Sequence, residues 1–273
     1  MRREVEPQKV NLHVTRVEFD PKSGIPLEIQ REISADVRRE NMEEDADSDY
    51  LKEAANEIAE VAARIALQNR GYFRVLPHAK LTLLKREGSD IQVAAAVSAE
   101  LGPQYWVGEI EFVPADPSRP LSQSQKVLRD LISLKPGDLL NVDALREGLR
   151  KLTHLYAKEG FIDMTAEPEF NIEDAEPRHV VNLIFRIDEQ MQYRMGEIEI
   201  WGLDAPAKQQ LLKSLPLPGE IFDGYKVQQS FEINKKILPA DASPYEDVNI
   251  QRDPKAGTVS MLFDFRPCPG EAN

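Results

Sequence analysis

The sequence predicts an α+β chain built from a repeated unit of strand, helix, helix, strand, strand. Two observations predict it: a capped amphipathic helix with strand-like runs on both sides, and a set of landmarks that recur at nearly one spacing. The helix lies in Leu134–Asp163, LKPGDLLNVDALREGLRKLTHLYAKEGFID. Pro136-Gly137 breaks whatever precedes it. Asn141 is a good N-cap, and Asp143 puts negative charge in the first turn, where the helix dipole favours it. Val142, Leu145, Leu149, Leu152 and Tyr156 recur at steps of three or four, which is one face of a helix. Gly160 can take the left-handed conformation that ends it. Each of those side chains contributes about 1.5–3 kcal/mol if fully buried, and a lone helix has nowhere to bury them. It needs a sheet, and strand-like runs lie at Tyr105–Val113 and Val180–Ile187.

The landmarks are of three kinds. Val107-Gly-Glu-Ile-Glu-Phe112 returns as Met195-Gly-Glu-Ile-Glu-Ile200, 88 residues on (107 to 195). Pro136-Gly137-Asp138 returns as Pro218-Gly219-Glu220, 82 residues on (136 to 218). Arg70-Gly71-Tyr72-Phe73 stands 89 residues before Glu159-Gly160-Phe161 (71 to 160). Such a period means tandem modules rather than one large core.

This succession, a strand with Gly-Glu-Ile-Glu-Phe, then Pro-Gly-Asp, then a helix reading LREGLRKLTHLYAKEGFID, resembles the POTRA (polypeptide-transport-associated) domain of the outer-membrane assembly factor and surface antigen family. The likeness is strongest over 105–202, less over 203–266 and least over 10–100. It implies three βααββ modules, each a three-stranded mixed sheet with two helices on one face. They fall at 10–100, 101–189 and 190–267, between tails 1–9 and 268–273. Gly108, Pro136, Gly137, Tyr156, Gly160 and Gly196 are the positions that would set that fold. The resemblance also implies a periplasmic, non-catalytic role. The partners would be unfolded outer-membrane proteins or assembly-complex subunits, with an outer-membrane β-barrel among them. A barrel of about 16 strands of about 10 residues needs far more chain than follows Phe265. The expectation is a barrel-less relative or the soluble part of a longer protein.

Composition agrees with small soluble cores. A chain of 273 residues is long enough for three of them. Its net charge of −13 excludes binding nucleic acid or an anionic membrane through a basic face. No apolar run approaches the roughly 18 residues a membrane-spanning helix needs. Met1-Arg2-Arg3-Glu4 is followed by Val5-Glu6-Pro7 rather than an apolar segment, so no signal peptide is read there. Since the resemblance implies export, the expectation is a removed signal or a part beginning after one. The one cysteine, Cys268, does not decide the compartment.

In chain order, Val10–Phe19 is strand-like and Pro21–Gly24 a turn. Leu27–Arg39 carries Ile29, Ile33 and Val37 at helical spacing. Glu43–Asp49 is an acidic loop. Its Asp45, Asp47 and Asp49 imitate a calcium-binding loop, but Tyr50 stands at the glycine position and Asn56 at that of the bidentate acid. Tyr50–Asn69 is a helix with Leu51, Ala55, Ile58, Val61, Ala62, Ile65 and Ala66 as its buried stripe. Gly71 stops it, and Val75–Arg86 with Ile91–Ser98 forms a hairpin. In the second module Ser122 and Gln125 make a capping box for a helix over Leu121–Leu134, with Val127, Leu128, Leu131 and Ile132 on its apolar face. Met164–Ile172 and His179–Asp188 are the hairpin, with Val181, Leu183, Phe185 and Ile187 alternating inward. The third module reads as Tyr193–Trp201, Lys208–Leu215, Tyr225–Leu238, Glu246–Arg252 and Thr258–Phe265. It lacks the glycine after its second helix, where Leu238–Tyr245 holds two prolines.

No chemistry of catalysis is legible. His13, His78, His154 and His179 stand at no metal-ligand spacing. No nucleophile elbow, zinc helix or phosphate loop appears. Gly108-Glu109 and Gly196-Glu197 read as strand glycines that make room for a packed helix. No cofactor or metal is expected. Two other readings stand beside polypeptide binding: a structural spacer for a partner domain, and a divergent small-ligand or catalytic protein on the same modules. The resemblance further implies β-augmentation, in which a peptide pairs with an exposed strand edge. It puts those edges at Ala79–Lys85, Ala166–Ile172 and Glu246–Arg252. Pro168 removes a donor from the second, and the third is short. Ala79, Leu81, Leu83 and Lys85 are therefore the expected peptide-binding edge.

Overall fold

The computed structural model describes residues 9–39, 41–45, 50–175 and 177–266. Three sheets run along the chain. Packing divides it into two compact units, Met1–Ile110 with Ser133–Arg146 and Phe170–Leu183, and Glu111–Ile132 with Glu147–Glu169 and Ile184–Asn273.

The first sheet comprises β1 (Lys9–Phe19), β2 (Asn41–Asp45), β3 (Leu76–Glu87) and β4 (Asp90–Glu100), in the order β2-β1-β4-β3. Strand β4 is parallel to β1 and antiparallel to β3, so the expected mixed three-stranded sheet is present. Helix α1 (Leu27–Arg39) has the expected bounds and buries Ile29, Ile33 and Val37. Helix α2 (Tyr50–Gln68) packs beside it, with Ala66 buried and Ala62 against the core as expected, Leu51 and Ala55 outside the described side chains, and the rest of its core face turned from the expected one. Ala59, Ala63, Ala66 and Leu67 are buried, and Val61 points to solvent. Alanines let the helix sit close to the sheet, which a stripe of larger residues would hold off.

Strand β2 was not expected. The acidic stretch read as a loop begins as a strand antiparallel to β1, with Lys9 opposite Asp45 and His13 opposite Asn41. Acidic residues are poor strand formers, but the unpaired backbone of β1 offers a ladder that outweighs propensity. Residues 46–49, with the Asp47 and Asp49 of the imitation calcium loop, lie outside the described residues.

The second sheet, in the order β5-β7-β6, comprises β5 (Tyr105–Pro114), β6 (Thr165–Glu173) and β7 (His179–Asp188). Val181, Leu183, Phe185 and Ile187 of β7 are all buried, as their alternation predicts. Helix α4 (Val142–Lys158) is capped by Asn141, whose Oδ1 accepts the Ala144 N–H at 2.8 Å. Helix α3 (Gln125–Leu131) is shorter than expected at both ends, and its cap is Ser124 rather than Ser122. Ser122 is held elsewhere: its N–H and hydroxyl both donate to Glu189 Oε1, at 2.8 and 2.9 Å. Gln125 gives its amide to the Phe112 carbonyl instead of closing a capping box. Val127 is exposed, leaving Leu128 and Ile132 to fill the core.

The third sheet comprises β8 (Arg194–Trp201), β9 (Val248–Asp253) and β10 (Thr258–Asp264), in the order β8-β10-β9. Strand β10 is parallel to β8 and antiparallel to β9. Helix α5 (Ala205–Leu212) starts before the expected Lys208 because Asp204 caps it and proline occupies its first turn. Helix α6 (Gly224–Asn234) is capped by Asp223 and ends before the expected Leu238. Leu211, Phe231, Val259, Met261, Phe263 and Phe265 belong to the core beneath this sheet.

Candidate functional site

Each sheet has two edges, and in each the beginning of the first strand's outer edge is covered. In the first sheet β2 covers β1. In the second, the Pro136-Gly137-Asp138 loop lies along β5. Gly137 N–H donates to the Val107 carbonyl and Val107 N–H to that of Asp138, both at 2.8 Å, and Leu140 N–H reaches the Tyr105 carbonyl at 3.0 Å. In the third, Pro218-Gly219-Glu220 repeats this on β8. Gly219 N–H donates to Met195 and Met195 N–H to Glu220, both at 2.7 Å, and Phe222 N–H to Tyr193 at 3.0 Å. The acid of each loop folds back on it: Asp138 accepts the Lys135 N–H at 2.7 Å, and Glu220 accepts that of Leu217 at 2.9 Å. The proline-glycine landmark is thus a cover for an edge as well as a break.

The glycine stop is also more than a stop. Gly160 has φ +83°, Phe161 N–H donates to the Tyr156 carbonyl at 2.9 Å, and the two rings meet edge to face at 5.7 Å. This closes the helix by a left-handed cap with its usual apolar contact. The Gly160 carbonyl then accepts the Tyr193 N–H at 2.9 Å, at the start of the third module's first strand. Gly71 does the same for Tyr105 at 2.8 Å. The Tyr156 hydroxyl is buried beside Glu189 and Ser122, in well-aligned hydrogen-bond geometry with neither. Burial first, and then the Glu189 carboxylate, raise its pKa above the ordinary phenol range.

Gly108 and Gly196 correct an expectation. A Cβ on Gly108 would lie 2.0 Å from Asn182 Oδ1, and one on Gly196 2.7 Å from Ser260 Oγ. The space serves a polar side chain of the central strand, not a helix. Asn182 Oδ1 accepts the Glu109 N–H at 2.8 Å, and Ser260 Oγ that of Glu197 at 3.2 Å. The central strand so holds the first strand by a side chain where the glycine interrupts it.

The hairpin edges β3, β6 and β9 lie opposite these covers. Strand β6 contains Pro168, and its Glu169 is held by two guanidinium nitrogens of Arg186, Nε and Nη2, at 2.6 and 3.2 Å. Strand β9 has six residues. Strand β3 has twelve and is the longest of the three. Within it Ala79 and Leu81 pack partly into the core, while Leu83 is 60% exposed and the next residue, Leu84, 48%. A bulge falls between Leu83 and Lys85, and Lys85 pairs with Glu87 at 2.6 Å. A bulge and a lysine both discourage casual pairing.

Two residues of this edge escaped the sequence reading. Glu60 Oε1 accepts the Ala79 N–H at 3.0 Å, and Asn56 Oδ1 accepts the Leu81 N–H at 2.9 Å. Their sequence signal is faint: two polar residues one turn apart in an alanine-rich helix.

One ionisable cluster of the first unit is structural in form. Asp174 accepts the Tyr105 hydroxyl at 2.9 Å, meets Arg74 at 2.9 Å and the His179 ring at 3.2 Å. The Tyr105 hydrogen bond chiefly holds the Asp174 carboxyl below its usual range. Among the described residues no group of histidine, cysteine, aspartate and glutamate is placed to hold a metal ion. No helix among the described residues is long and apolar enough to cross a membrane.

Known proteins resemble this chain to different degrees. Residues 121–190 match the family model POTRA, described as surface antigen variable number repeat. The crystal structure of Haemophilus influenzae BamA POTRA3-5 is similar at TM-score 0.65 and 13% identity, over 97% of this chain and 100% of that one. BamA of Haemophilus ducreyi lacking POTRA domains 1-3 gives 0.43 at 18% identity, over 68% of this chain and 32% of that one. POTRA1-3 of the periplasmic domain of Anabaena Omp85 gives 0.35 at 15% identity, over 96% and 98%. No curated protein matches the chain. The chain has the fold of tandem POTRA domains, and residues 121–190 carry that family's sequence pattern as well.

Proposed function

We propose that this chain is a non-catalytic periplasmic scaffold of outer-membrane protein assembly or polypeptide transport, and that it binds extended segments of other polypeptides as an added strand on β3. The observation that carries this is the asymmetry of the edges. Three first strands have the beginning of their outer edge covered, one by a strand and two by loops, while among the described residues the hairpin edges have no neighbouring strand. Of these, β3 is the longest, and it has no proline between Ala79 and Lys85. An added strand gains main-chain hydrogen bonds along such an edge, with side-chain contacts on alternate positions. The POTRA match and the likeness to BamA POTRA domains support the setting. Fitting occupants are unfolded outer-membrane proteins or assembly-complex subunits, with an outer-membrane β-barrel as a further partner. Binding is weak, because a disordered client must be ordered as it docks.

The test is an amide chemical-shift titration with an extended peptide from an outer-membrane barrel strand. Shifts should gather on Ala79–Lys85. Perturbations confined to the helices, or none at millimolar peptide, would remove the reading. The spacer reading draws on the bonds from Gly71 to Tyr105 and from Gly160 to Tyr193, which tie each stop to the next first strand. It expects no shift on any edge.

A further inference from the structure

The two side-chain contacts on β3 form a matched pair. Ala79 and Leu81 are two residues apart on a strand, so their N–H groups point the same way, about 6.7 Å apart. Asn56 and Glu60 are four residues apart on α2, one turn, which sets them about 6 Å apart along the helix. Asn56 meets Leu81 and Glu60 meets Ala79, so helix and strand run in opposite directions along this contact. The two spacings agree closely enough for both bonds to form at 2.9–3.0 Å. One turn further on, the same step sets Arg64 opposite Pro77. A guanidinium has no acceptor and proline has no N–H, so nothing is left wanting there. Both acceptors take backbone donors that point away from β4, the donors an added strand would use.

We propose that Asn56 and Glu60 are a latch that closes the β3 edge in the free protein, and that a client strand docks by displacing both. This rests on the reading of β3 as the docking edge. The side chains stand in for two carbonyls of a missing strand, so the edge is satisfied and protected against self-pairing while no client is present. Leu83 and Leu84, exposed next to the latch, give an incoming strand its first apolar contact. Displacement is cheap because the released carboxylate and amide return to water while the client's carbonyls take over the donors.

The full chain carrying both Asn56→Ala and Glu60→Ala tests this. Alanine keeps helix propensity, and the pair Asn56→Asp with Glu60→Gln retains an acceptor at each position. Hydrogen exchange without peptide is read first. The Ala79 and Leu81 amides should exchange about tenfold faster or more in the alanine pair, with Val97 on β4 unchanged and the Asp/Gln pair like the parent. The barrel-strand peptide should then bind the alanine pair about five- to thirtyfold more tightly, the factor expected for losing two competing hydrogen bonds. Unchanged exchange at Ala79 and Leu81 overturns the latch whatever the peptide does. Faster exchange with equal or weaker peptide binding overturns displacement. Faster exchange with no binding to either protein overturns docking at β3 and leaves the edge cap in place. Loss of fold in the alanine pair, with Val97 exchanging as well, marks the contacts as structural and overturns the latch.

Discussion

Replacing Gly160 by alanine should cost far more than its place in a loop suggests. The first cost is conformational. At φ +83° an L-residue is in the left-handed region, at about 1–2 kcal/mol. The second is contact. A Cβ there would lie 2.6 Å from the Tyr193 carbonyl oxygen and 3.0 Å from Ile221 Cγ2. That carbonyl is not free to yield. It accepts the Phe222 N–H at 3.0 Å, while Tyr193 N–H donates to Gly160 itself at 2.9 Å. Moving it weakens both bonds, each worth about 1 kcal/mol net. The sum is about 3–4 kcal/mol. Gly137→Ala is the control: its φ is +91°, with nothing within 4 Å of the added carbon, so it carries the conformational cost alone. The difference, about 2 kcal/mol, is a factor of roughly 30. Hydrogen exchange at Tyr193 and Phe222 should accelerate by that factor in Gly160→Ala and not in Gly137→Ala, and urea denaturation should show the same ranking. Gly160→Val should be worse still, since a β-branched residue resists positive φ. Equal costs at the two glycines, or unchanged exchange at Tyr193 and Phe222, would refute the tie between helix stop and next strand.

Two further outcomes follow from single contacts. Gly108→Ala puts a carbon against Asn182 Oδ1 and should cost about 1–3 kcal/mol as overpacking. Asn182→Ala should restore part of it, and additive losses in the double variant, read by thermal denaturation, would show that the clash lies elsewhere. Tyr156→Phe removes a buried hydroxyl that makes no well-aligned hydrogen bond, so stability at neutral pH should stay within about 1 kcal/mol of the parent or rise. Its sign with pH is fixed. The folded pKa lies above the ordinary 10.0, so the unfolded chain ionises first and the parent loses stability as pH climbs past that value. The variant should lose less, and parallel stability curves above pH 10 would count against the buried phenol.

What the sequence discloses and what it conceals divide along one physical line. The bounds of α1 could be read because Ile29, Ile33 and Val37 sit on one helical face, and the helix closes on its own local hydrogen bonds. The left-handed Gly160 could be read because a helix stop is local. The partner that completes each landmark could not. Gly108 signals that space is needed, but Asn182, which fills it, belongs to another strand 73 residues from the Glu109 it bonds. Ser122 has the spacing of a capping residue, yet Glu189, 67 residues on, takes both its donors and moves the cap to Ser124. Asn56 and Glu60 look like ordinary exposed helix residues until β3 is laid beside them, 25 and 19 residues away. Polar side chains choose partners by tertiary position, and periodicity carries no record of that choice.

The repeat itself separates what the modules share from what they do not. Gly-Glu-Ile-Glu, proline-glycine-acid and the glycine stop all act at a first strand: they seat it against the central strand, cover the beginning of its outer edge or anchor its start. Strands β3, β6 and β9 repeat no such landmark. One is long and bulged, one is interrupted by Pro168, and one has six residues. A strand that must only close a sheet could be copied from module to module as faithfully as the covers are. If a client docks on these edges as proposed, the three are therefore not interchangeable. A peptide whose carbonyls match Ala79 and Leu81 meets a missing donor at Pro168 and runs out of ladder on β9.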